Sequence, residues 1–330
     1  MKPLLDGIGR KITDLRLSVT DRCNFYCSYC RDAMAPSIGQ RSEILSFEEI
    51  YRMSRILVGM GIEKIRLTGG EPLLRRKIEM LVRDLSGISG LRDLAMTTNG
   101  YLLKWKAAGL REAGLRRINF SMDSTREERF DKLVGCHAFA KVLDGLQAAL
   151  AAGFDRVRLN TVLIRGMNDD EILDFVEFGK RMGAQVRFIE FMPLGEGNRW
   201  RKDLVVTAEE ILAAVSTKYS VLPIPRSDSG QTSREYHVPA LDTIFGIIPS
   251  VSIPFCDRCS RIRITADGHL RTCLFSASEA DVKKHLRSGV SDDEMERFFR
   301  DQIYQKEAAG HQGESPDLAT SCRRMPTIGG

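Results

Sequence analysis

The sequence predicts an α/β fold: a partial (β/α)6 barrel of the TIM type over residues 1–218, with its open side closed by a C-terminal domain over residues 219–330. Two observations favour this division. Short β-rich runs alternate six times with longer amphipathic segments between Leu15 and Thr217, and the alternation stops near Tyr219 in a stretch containing Pro, Ser and Gly. Consecutive strand–helix units imply a parallel sheet with right-handed crossovers. An open sheet is the alternative to the barrel.

The predicted elements follow from apolar periodicity and from turn residues. The barrel strands are predicted at residues 15–20, 64–68, 93–98, 117–122, 156–164 and 185–191, and the helices at 47–60, 74–85, 102–112, 138–152, 170–182 and 208–216. Ser46 and Glu49 form a capping-box pattern at the first helix. In the C-terminal domain, strands are predicted near 243–248 and 261–265, and helices near 279–286 and 292–305.

Composition and charge exclude several classes of protein. The chain has 330 residues, of which 43% are hydrophobic and 28% charged, so it can bury a full-sized core. Its start lacks the apolar region of a signal peptide, and its most apolar stretch, at 244–255, is too short to span a bilayer. We therefore expect a cytoplasmic protein that does not enter a membrane. The net charge of +5 is spread along the chain, which argues against nucleic acid and favours at most a small anionic ligand.

Cysteine usage points to metal chemistry. With no export signal, eight cysteines favour metal ligation or catalysis over disulfides. Six of them form two triplets, whereas Cys136 and Cys322 stand alone and are interpreted as structural or incidental. The triplets are Cys23, Cys27 and Cys30, and Cys256, Cys259 and Cys273.

The first triplet has the spacing C-x3-C-x2-C directly after the first predicted strand. Three thiolates on one loop suit an iron–sulfur cluster with one iron free for an external ligand. A zinc site would need a fourth protein ligand. All five histidines lie far away in sequence, so we favour iron and sulfur here.

The second triplet, C-x2-C-x13-C, leaves two interpretations open. It could form a second cluster, or a zinc ribbon completed by His269, His285 or Cys322. Arg261 and Arg263 lie two residues apart on a predicted strand and should share one face. Paired guanidinium groups beside a metal site indicate an anionic ligand such as a phosphate chain, although a solvated strand face is the alternative.

Four further motifs follow predicted strands: TGGEP at residues 68–72, TTNG at 97–100, SMD at 121–123 and EFMP at 190–193. The carboxyl ends of barrel strands are where binding and catalytic groups converge. The paired glycines suit close backbone approach to a ligand.

The cysteine spacing, with Tyr29 before the last cysteine, resembles the radical S-adenosylmethionine superfamily. The motifs DLRLSVTDRCNFYCSYC, KIRLTGGEPLLR, TTNG, RFIEFMP and CDRCSRIRITADGHLRTCLF and the terminal Gly-Gly are similar to the GTP 3′,8-cyclase family (molybdenum cofactor biosynthesis protein A) over nearly the whole chain. The resemblance implies two [4Fe–4S] clusters, held by the two triplets, and S-adenosylmethionine on the open iron of the first. The second cluster, in the C-terminal iron–sulfur domain, would bind the guanine of GTP.

The resemblance also assigns roles to individual residues. S-adenosylmethionine would contact Tyr29, Gly70, Ser121 and Met192. GTP would contact Arg16, Arg66, Thr97, Arg158, Arg261 and Arg263, with Lys64 and Arg187 as weaker additions. Arg158 stands where many relatives carry lysine, which keeps the charge but changes the donor geometry. Catalytic roles fall to Arg261 and Arg263 and to the C-terminal Gly329 and Gly330, whose tail would reach into the barrel.

The implied reaction is radical cyclisation of GTP to 3′,8-cyclo-7,8-dihydro-GTP, the first step of molybdenum cofactor biosynthesis. Cleavage of the sulfonium would give a 5′-deoxyadenosyl radical that takes hydrogen from C3′. The implied partners are an external electron donor and a downstream cyclic pyranopterin monophosphate synthase. A radical S-adenosylmethionine enzyme that modifies peptides, and an electron-transfer or zinc-stabilised binding protein, are the alternatives. The sequence leaves the oligomeric state open, a homodimer included.

Overall fold

A twelve-stranded mixed sheet forms the centre of the computed structural model, which describes residues 3–30, 43–194, 199–226, 230–276, 278–306 and 325–329. In chain order, the strands are β1 Asp14–Ser18, β2 Lys64–Thr68, β3 Asp93–Thr98, β4 Arg117–Ser121, β5 Arg156–Leu163, β6 Gln185–Glu190, β7 Leu222–Ile224, β8 Arg234–Val238, β9 Thr243–Ile248, β10 Arg261–Ile264, β11 His269–Arg271 and β12 Ala280–Asp281.

The order of these strands shows how the two halves of the chain combine. Strands β1 to β6 lie side by side in chain order and run parallel, which confirms the six predicted strand–helix units. Strand β10 then pairs with β1, and β9 pairs with β6, both in parallel. Strands from beyond residue 218 therefore extend both edges of the sheet, which stays open as a partial barrel. The division into domains at residue 218 stays a prediction.

The helices cover the outer face of the sheet. In chain order, they are α1 Phe47–Met60, α2 Ile78–Ser86, α3 Ala107–Glu112, α4 Glu127–Val134, α5 Phe139–Ala151, α6 Ile172–Met182, α7 Ala208–Ser216, α8 Val282–Arg287, α9 Asp292–Tyr304 and α10 Met325–Ile328. Within the described ranges, no helix combines the length and the apolar character that a bilayer crossing requires.

The capping box before α1 is confirmed. Glu49 N donates to Ser46 Oγ at 3.2 Å, and Ser46 N donates to Glu49 Oε2 at 2.7 Å. At the other end of a helix, Gly183 follows α6 with a φ of 71°. Because side chains with a Cβ rarely adopt this conformation, glycine suits the position.

Some sequence expectations were wrong in their bounds or incomplete. The second helix begins at Ile78, because residues 72–74 form a separate 3₁₀ turn that starts at a proline. Helix α4 was not predicted, since its short sequence EERFDKLV buries only three side chains. The short outer strands β7, β8, β11 and β12 were also missed. Proline in β7 and the exposure of that edge hide the usual strand pattern.

Alternation along the strands decides which side chains reach the barrel interior. In β1 and β2, Leu15, Leu17, Ile65 and Leu67 are buried in the hydrophobic core that the helices share. The intervening residues point the other way, because successive strand residues face opposite sides of a sheet. The parallel register places Arg16 beside both Arg66 and Arg263. The fold therefore brings three arginines from distant parts of the sequence into one row.

Candidate active site

Two adjoining cavities run through the barrel. The larger, of about 300 Å³, reaches the carboxyl ends of the strands, and all six cysteines of the two triplets line it. The predicted site residues on its wall are Arg16, Cys23, Cys27, Tyr29, Cys30, Arg66, Gly70, Thr97, Ser121, Arg187, Met192, Cys256, Cys259, Arg261, Arg263 and Cys273. Residues predicted from separate motifs thus meet at one place.

The smaller cavity, of about 240 Å³, lies toward the amino ends of the strands. Lys64 and Arg158 line it and not the larger cavity. Both cavities share a wall formed by four arginines, which are Arg16, Arg66, Arg187 and Arg261. The predicted substrate-binding residues therefore extend from the thiol-lined end into a strongly basic end.

The C-terminal tail also reaches this region. Arg263 donates a hydrogen bond to the carbonyl oxygen of Gly329, Ile328 is fully buried, and Met325 lines the larger cavity. A Cβ added at Gly329 would lie 2.5 Å from Thr68 Oγ1, and its φ of 75° also disfavours other residues. Gly330, which carried the same prediction, lies outside the described residues.

The loop that carries the first triplet is fixed to α4. Tyr26 N donates to Val134 O at 2.9 Å, and Ser28 N donates to Leu133 O at 3.1 Å. Cys30 N also donates to Cys27 O at 2.9 Å, which closes a turn within the loop. The helix that sequence analysis missed thus holds the first three thiols in place.

The glycine pair of the TGGEP motif lies against the same loop. Gly70 N donates to Thr20 O at 2.7 Å, and a Cβ on Gly70 would lie 2.2 Å from Arg22 O. Only a residue without a side chain fits this approach of two backbones. The turn is thereby held next to the thiols, with its main chain at the cavity wall.

Glu71 ties this turn to the loop after β3. Its buried carboxylate accepts hydrogen bonds from Leu73 N at 2.9 Å, Thr98 Oγ1 at 2.7 Å and Asn99 N at 2.7 Å. Asn99 Nδ2 in turn donates to Asn24 Oδ1 at 2.9 Å, in the thiol loop. Burial raises the pKa of Glu71 to about 7, although the three donors oppose the shift.

Asp123 connects the thiol loop to the end of β4. Tyr29 Oη donates to Asp123 Oδ2 at 2.5 Å, and Val162 N donates to Oδ1 at 2.8 Å. Burial raises the pKa of Asp123 to about 6, and burial together with the Asp123 charge raises the pKa of Tyr29. Burial, followed by the charges of Cys30 and Asp123, raises the pKa of Cys27. Burial and nearby negative charge therefore both disfavour the thiolate form of Cys27.

The second triplet begins in a 3₁₀ turn at Cys256–Arg258, and Glu190 holds the segment before it. The Glu190 carboxylate accepts hydrogen bonds from Ala208 N at 2.8 Å and from Val251 N and Ser252 N, both at 2.7 Å. One buried side chain therefore joins the end of β6, the start of α7 and the approach to Cys256.

Cations surround the second triplet. Arg10 Nη1 donates to Cys256 O at 2.5 Å, and Lys306 Nζ donates to Thr272 O. Burial alone would raise the pKa of Cys259, but Lys306, Arg261 and Arg10 together bring it below its usual value. The nearby charges therefore favour the thiolate form of Cys259, whereas those near Cys27 disfavour it.

The arginines of the basic wall repel one another. Burial first, and then neighbouring arginines, lower the pKa of Arg16 and Arg187 and bring those of Arg66 and Arg158 to about 10. Burial and Arg261 lower the pKa of Arg263 to about 9. The buried Nε atoms of Arg66 and Arg187 have no hydrogen-bond partner among the described residues. Such a group of donors is suited to bind an anion.

The zinc alternative gains no support from the histidines. His269 Nδ1 lies 3.2 Å from Asp267 Oδ2, His285 Nδ1 lies 2.9 Å from Asp281 O, and neither lines the larger cavity. Cys322 lies outside the described residues. Within those residues, no three His, Cys, Asp or Glu side chains are grouped closely enough to hold a single metal ion. The ligand role of the six cysteines stays a prediction.

Sequence analysis missed four residues that shape the site. Asp123 and Glu190 stand within motifs already noted at strand ends, and their position before a loop was the available signal. Nothing in the local sequence distinguishes Arg10 or Lys306, because each reaches the second triplet only through tertiary packing.

Comparison with known proteins defines the class. The family model of the Radical SAM superfamily matches residues 17–179. The family model named Molybdenum Cofactor Synthesis C matches residues 184–312. The structure of Streptococcus suis SuiB bound to S-adenosylmethionine is similar with a TM-score of 0.65 at 12% identity, covering 94% of this chain and 71% of that one. This likeness shows a shared fold alone. The chain is a radical S-adenosylmethionine enzyme.

Full-length relatives narrow the class. The GTP 3′,8-cyclase of Rhodopirellula baltica is 41% identical, over 99% of this chain and 92% of the relative. That of Thermodesulfovibrio yellowstonii is also 41% identical, over 98% of this chain and 99% of the relative. The chain belongs to the GTP 3′,8-cyclase family.

Proposed function

We propose that this enzyme converts GTP to 3′,8-cyclo-7,8-dihydro-GTP, the first step of molybdenum cofactor biosynthesis. One observation carries the proposal: two thiol triplets line one cavity, and four arginines of its wall also line the adjoining basic cavity. The relatives named above support GTP as the substrate.

The residues at the first triplet fit the cofactors of this class. Cys23, Cys27 and Cys30 would hold a [4Fe–4S] cluster, and the close-packed main chain at Gly70 would receive the amino group of S-adenosylmethionine. The remaining contacts to S-adenosylmethionine would come from Tyr29, Ser121 and Met192. When bound, these groups supply the one-electron chemistry that removes hydrogen from the substrate.

The second triplet would hold a second [4Fe–4S] cluster whose free iron anchors the guanine. Cys256, Cys259 and Cys273 share the cavity with the first triplet, which places a base bound there within the same enclosed space. Glu190, Arg10 and Lys306 would hold the loop that carries the second triplet in position.

The arginines would bind the triphosphate and so orient the ribose. Arg16, Arg66 and Arg187 lie between the two cavities, and Lys64 and Arg158 lie at the basic end. An anion would relieve the repulsion that lowers the pKa values of these arginines. Thr97 would contact the nucleotide from β3. Fixing both ends of GTP orients the carbon that loses hydrogen, and positioning of this kind supplies much of the rate.

The tail would complete the active site. Arg263 contacts both the tail carbonyl of Gly329 and the cavity, so Gly329 and Gly330 would help to orient Arg263 and Arg261 toward the substrate. Replacing Gly329 by Ala should cut product formation while both clusters remain, since the added Cβ collides with Thr68.

The proposal includes partners and a location. Reduction of the clusters requires an external electron donor, and a cyclic pyranopterin monophosphate synthase would consume the product. We place the enzyme in the cytoplasm, free of nucleic acid and membrane, and leave a homodimer as the oligomeric state to test.

The test uses anaerobically reconstituted, reduced enzyme with S-adenosylmethionine and either GTP or ATP. We expect 5′-deoxyadenosine and a cyclised nucleotide with GTP, detected by liquid chromatography and mass spectrometry, and much less with ATP. If GTP yields neither compound, the cyclase assignment is wrong, and turnover with peptides would then favour the peptide-modifying alternative. Colourless protein that contains zinc alone would favour a binding protein.

A further inference from the structure

Lys306 is a buried lysine at the second thiol triplet. Its residue is only 4% exposed, and its Nζ donates to the carbonyl oxygen of Thr272, the neighbour of Cys273. Among the described residues, no carboxylate lies within ion-pair distance of this ammonium group. Buried lysines are rare without an anionic partner, because removing the charge from water is costly.

Two distant segments bring Lys306 to this position. Helix α9 packs its fully buried residues Met295, Phe299 and Ile303 into the core, and Lys306 N donates to Ile303 O at 3.0 Å just beyond the helix. A turn near the N-terminus, at residues 6–10, packs against the same helix end. A Cβ on Gly7 in this turn would lie 2.6 Å from Tyr304 O. The lysine therefore lies just beyond a helix end that is tightly packed on both sides.

The N-terminal turn delivers a second cation to the same loop. Arg10 donates to Cys256 O at 2.5 Å, but its Nε also pairs with Asp6 Oδ2 at 2.6 Å. Asp6 is fully buried as a side chain, so it offsets much of the Arg10 charge. Arg261 and Arg263 are further cations near this triplet, but both line the larger cavity, whereas Lys306 does not.

A cluster ligated by three thiolates carries net negative charge, and its reduction potential depends on nearby charge and on solvent exposure. We propose that Lys306 is the counter-charge of the second cluster and raises its reduction potential. The inference rests on the proposed second cluster. It makes Lys306 a positioning and tuning residue, since it acts on the cluster and does not touch the substrate.

The test compares three full-length variants as anaerobically reconstituted enzyme. Lys306→Met removes the charge at similar length, and Lys306→Arg keeps it. Lys284→Met is the matched control, because it removes the charge of an exposed lysine on α8. Redox titration followed by electron paramagnetic resonance gives the midpoint potential of each cluster. Repeating it with Cys23, Cys27 and Cys30 changed to Ala isolates the signal of the second cluster.

We expect the midpoint potential of the second cluster to fall in Lys306→Met and to stay near its original value in Lys306→Arg and Lys284→Met. The first cluster should keep its potential in all three. An unchanged potential in Lys306→Met, with iron for both clusters retained, would overturn the proposed role of Lys306. It would leave the proposed function untouched. If Lys306→Met cannot hold the second cluster, retention of that cluster in Lys306→Arg supports the charge role, and its loss in both variants contradicts it.

The unsubstituted enzyme separates the two proposals. Iron and sulfide for a single cluster per chain would refute the second cluster itself, and with it the role of Lys306. Iron for two clusters, with no response to Lys306→Met, would leave the proposed function standing and remove only the role of the lysine.

Discussion

The two thiol triplets occupy the same cavity but lie in opposite electrostatic surroundings. Asp123 and Glu71 lie buried around the first loop, and burial, followed by the charges of Cys30 and Asp123, raises the pKa of Cys27. Arg10 and Lys306 contact the second loop, and the pKa of Cys259 is lowered. Because nearby positive charge favours the reduced form of a cluster, the first site should have the lower reduction potential. Two sites with three cysteines each can therefore differ in reduction potential, because the charged groups around them differ.

The largest expected effects come from removing one thiol at each site. Cys27→Ala should abolish both 5′-deoxyadenosine and nucleotide product, since the first triplet would hold the cluster that cleaves the cofactor. Cys259→Ala should abolish the product but leave slow formation of 5′-deoxyadenosine. Chromatography of anaerobic reactions measures both compounds. If both variants lost 5′-deoxyadenosine and nucleotide product to the same extent, the two triplets would not have separate roles in cofactor cleavage and nucleotide binding.

Arginines at the second site should matter for the nucleotide more than for the cofactor. A hydrogen bond to a charged group contributes about 1.5–3 kcal/mol, so Arg261→Ala and Arg263→Ala should each weaken GTP binding by roughly 10- to 100-fold. Cleavage of S-adenosylmethionine without GTP should be unchanged. Equilibrium binding of GTP to the reconstituted enzyme gives the affinity. Wild-type affinity in both variants would contradict their assignment.

The carboxylates that anchor the two loops offer a matched pair of variants. Asp123→Asn should loosen the first loop, since Tyr29 and Val162 N contact this carboxylate. Glu190→Gln should loosen the second, because the amide can no longer accept all of its donors. Each should destabilise its loop by about 1–3 kcal/mol. Mössbauer spectra of each variant should show partial loss of one cluster only, and loss of the opposite cluster would refute the pairing.

The smallest expected effect is a pH-dependent change in the free energy of unfolding. It comes from ion pairs that hold α4, the helix that contacts the first thiol loop. Arg129, assisted by Arg126, holds the pKa of Asp170 below its usual value and ties α4 to the residues before α6. This stabilisation is present above the usual carboxyl pKa and is lost as the pH falls through the lowered one. Asp170 is half exposed, so Asp170→Asn should lower the free energy of unfolding by about 0.5 kcal/mol at neutral pH.

Urea unfolding of the cluster-free protein measures this difference. The gap between Asp170→Asn and wild type should shrink as the pH falls below the usual carboxyl pKa, and it should close once the pH is below the lowered pKa of Asp170 in the folded chain. A gap that persists in acid would mean that the ion pairs do not account for it.

Much of this architecture was accessible from the sequence. Strands β2 and β3 and helix α1 have the predicted bounds, because strong apolar periodicity and a capping box specify them locally. The motifs also predicted which residues would line the cavity. The position of Lys306 could not be predicted, since it lies beyond the end of α9 and reaches Thr272 only in the folded chain. Helix α4 was missed because its apolar face is short.

Mössbauer spectroscopy of iron-57 enzyme, recorded alone, with S-adenosylmethionine and with GTP, tests the central claim most directly. The account predicts two [4Fe–4S] clusters per chain, each with one iron that changes its signal on binding a ligand. S-adenosylmethionine should perturb one cluster and GTP the other. If both ligands altered the same cluster, or if neither altered any iron, the assignment of separate roles to the two triplets would be contradicted.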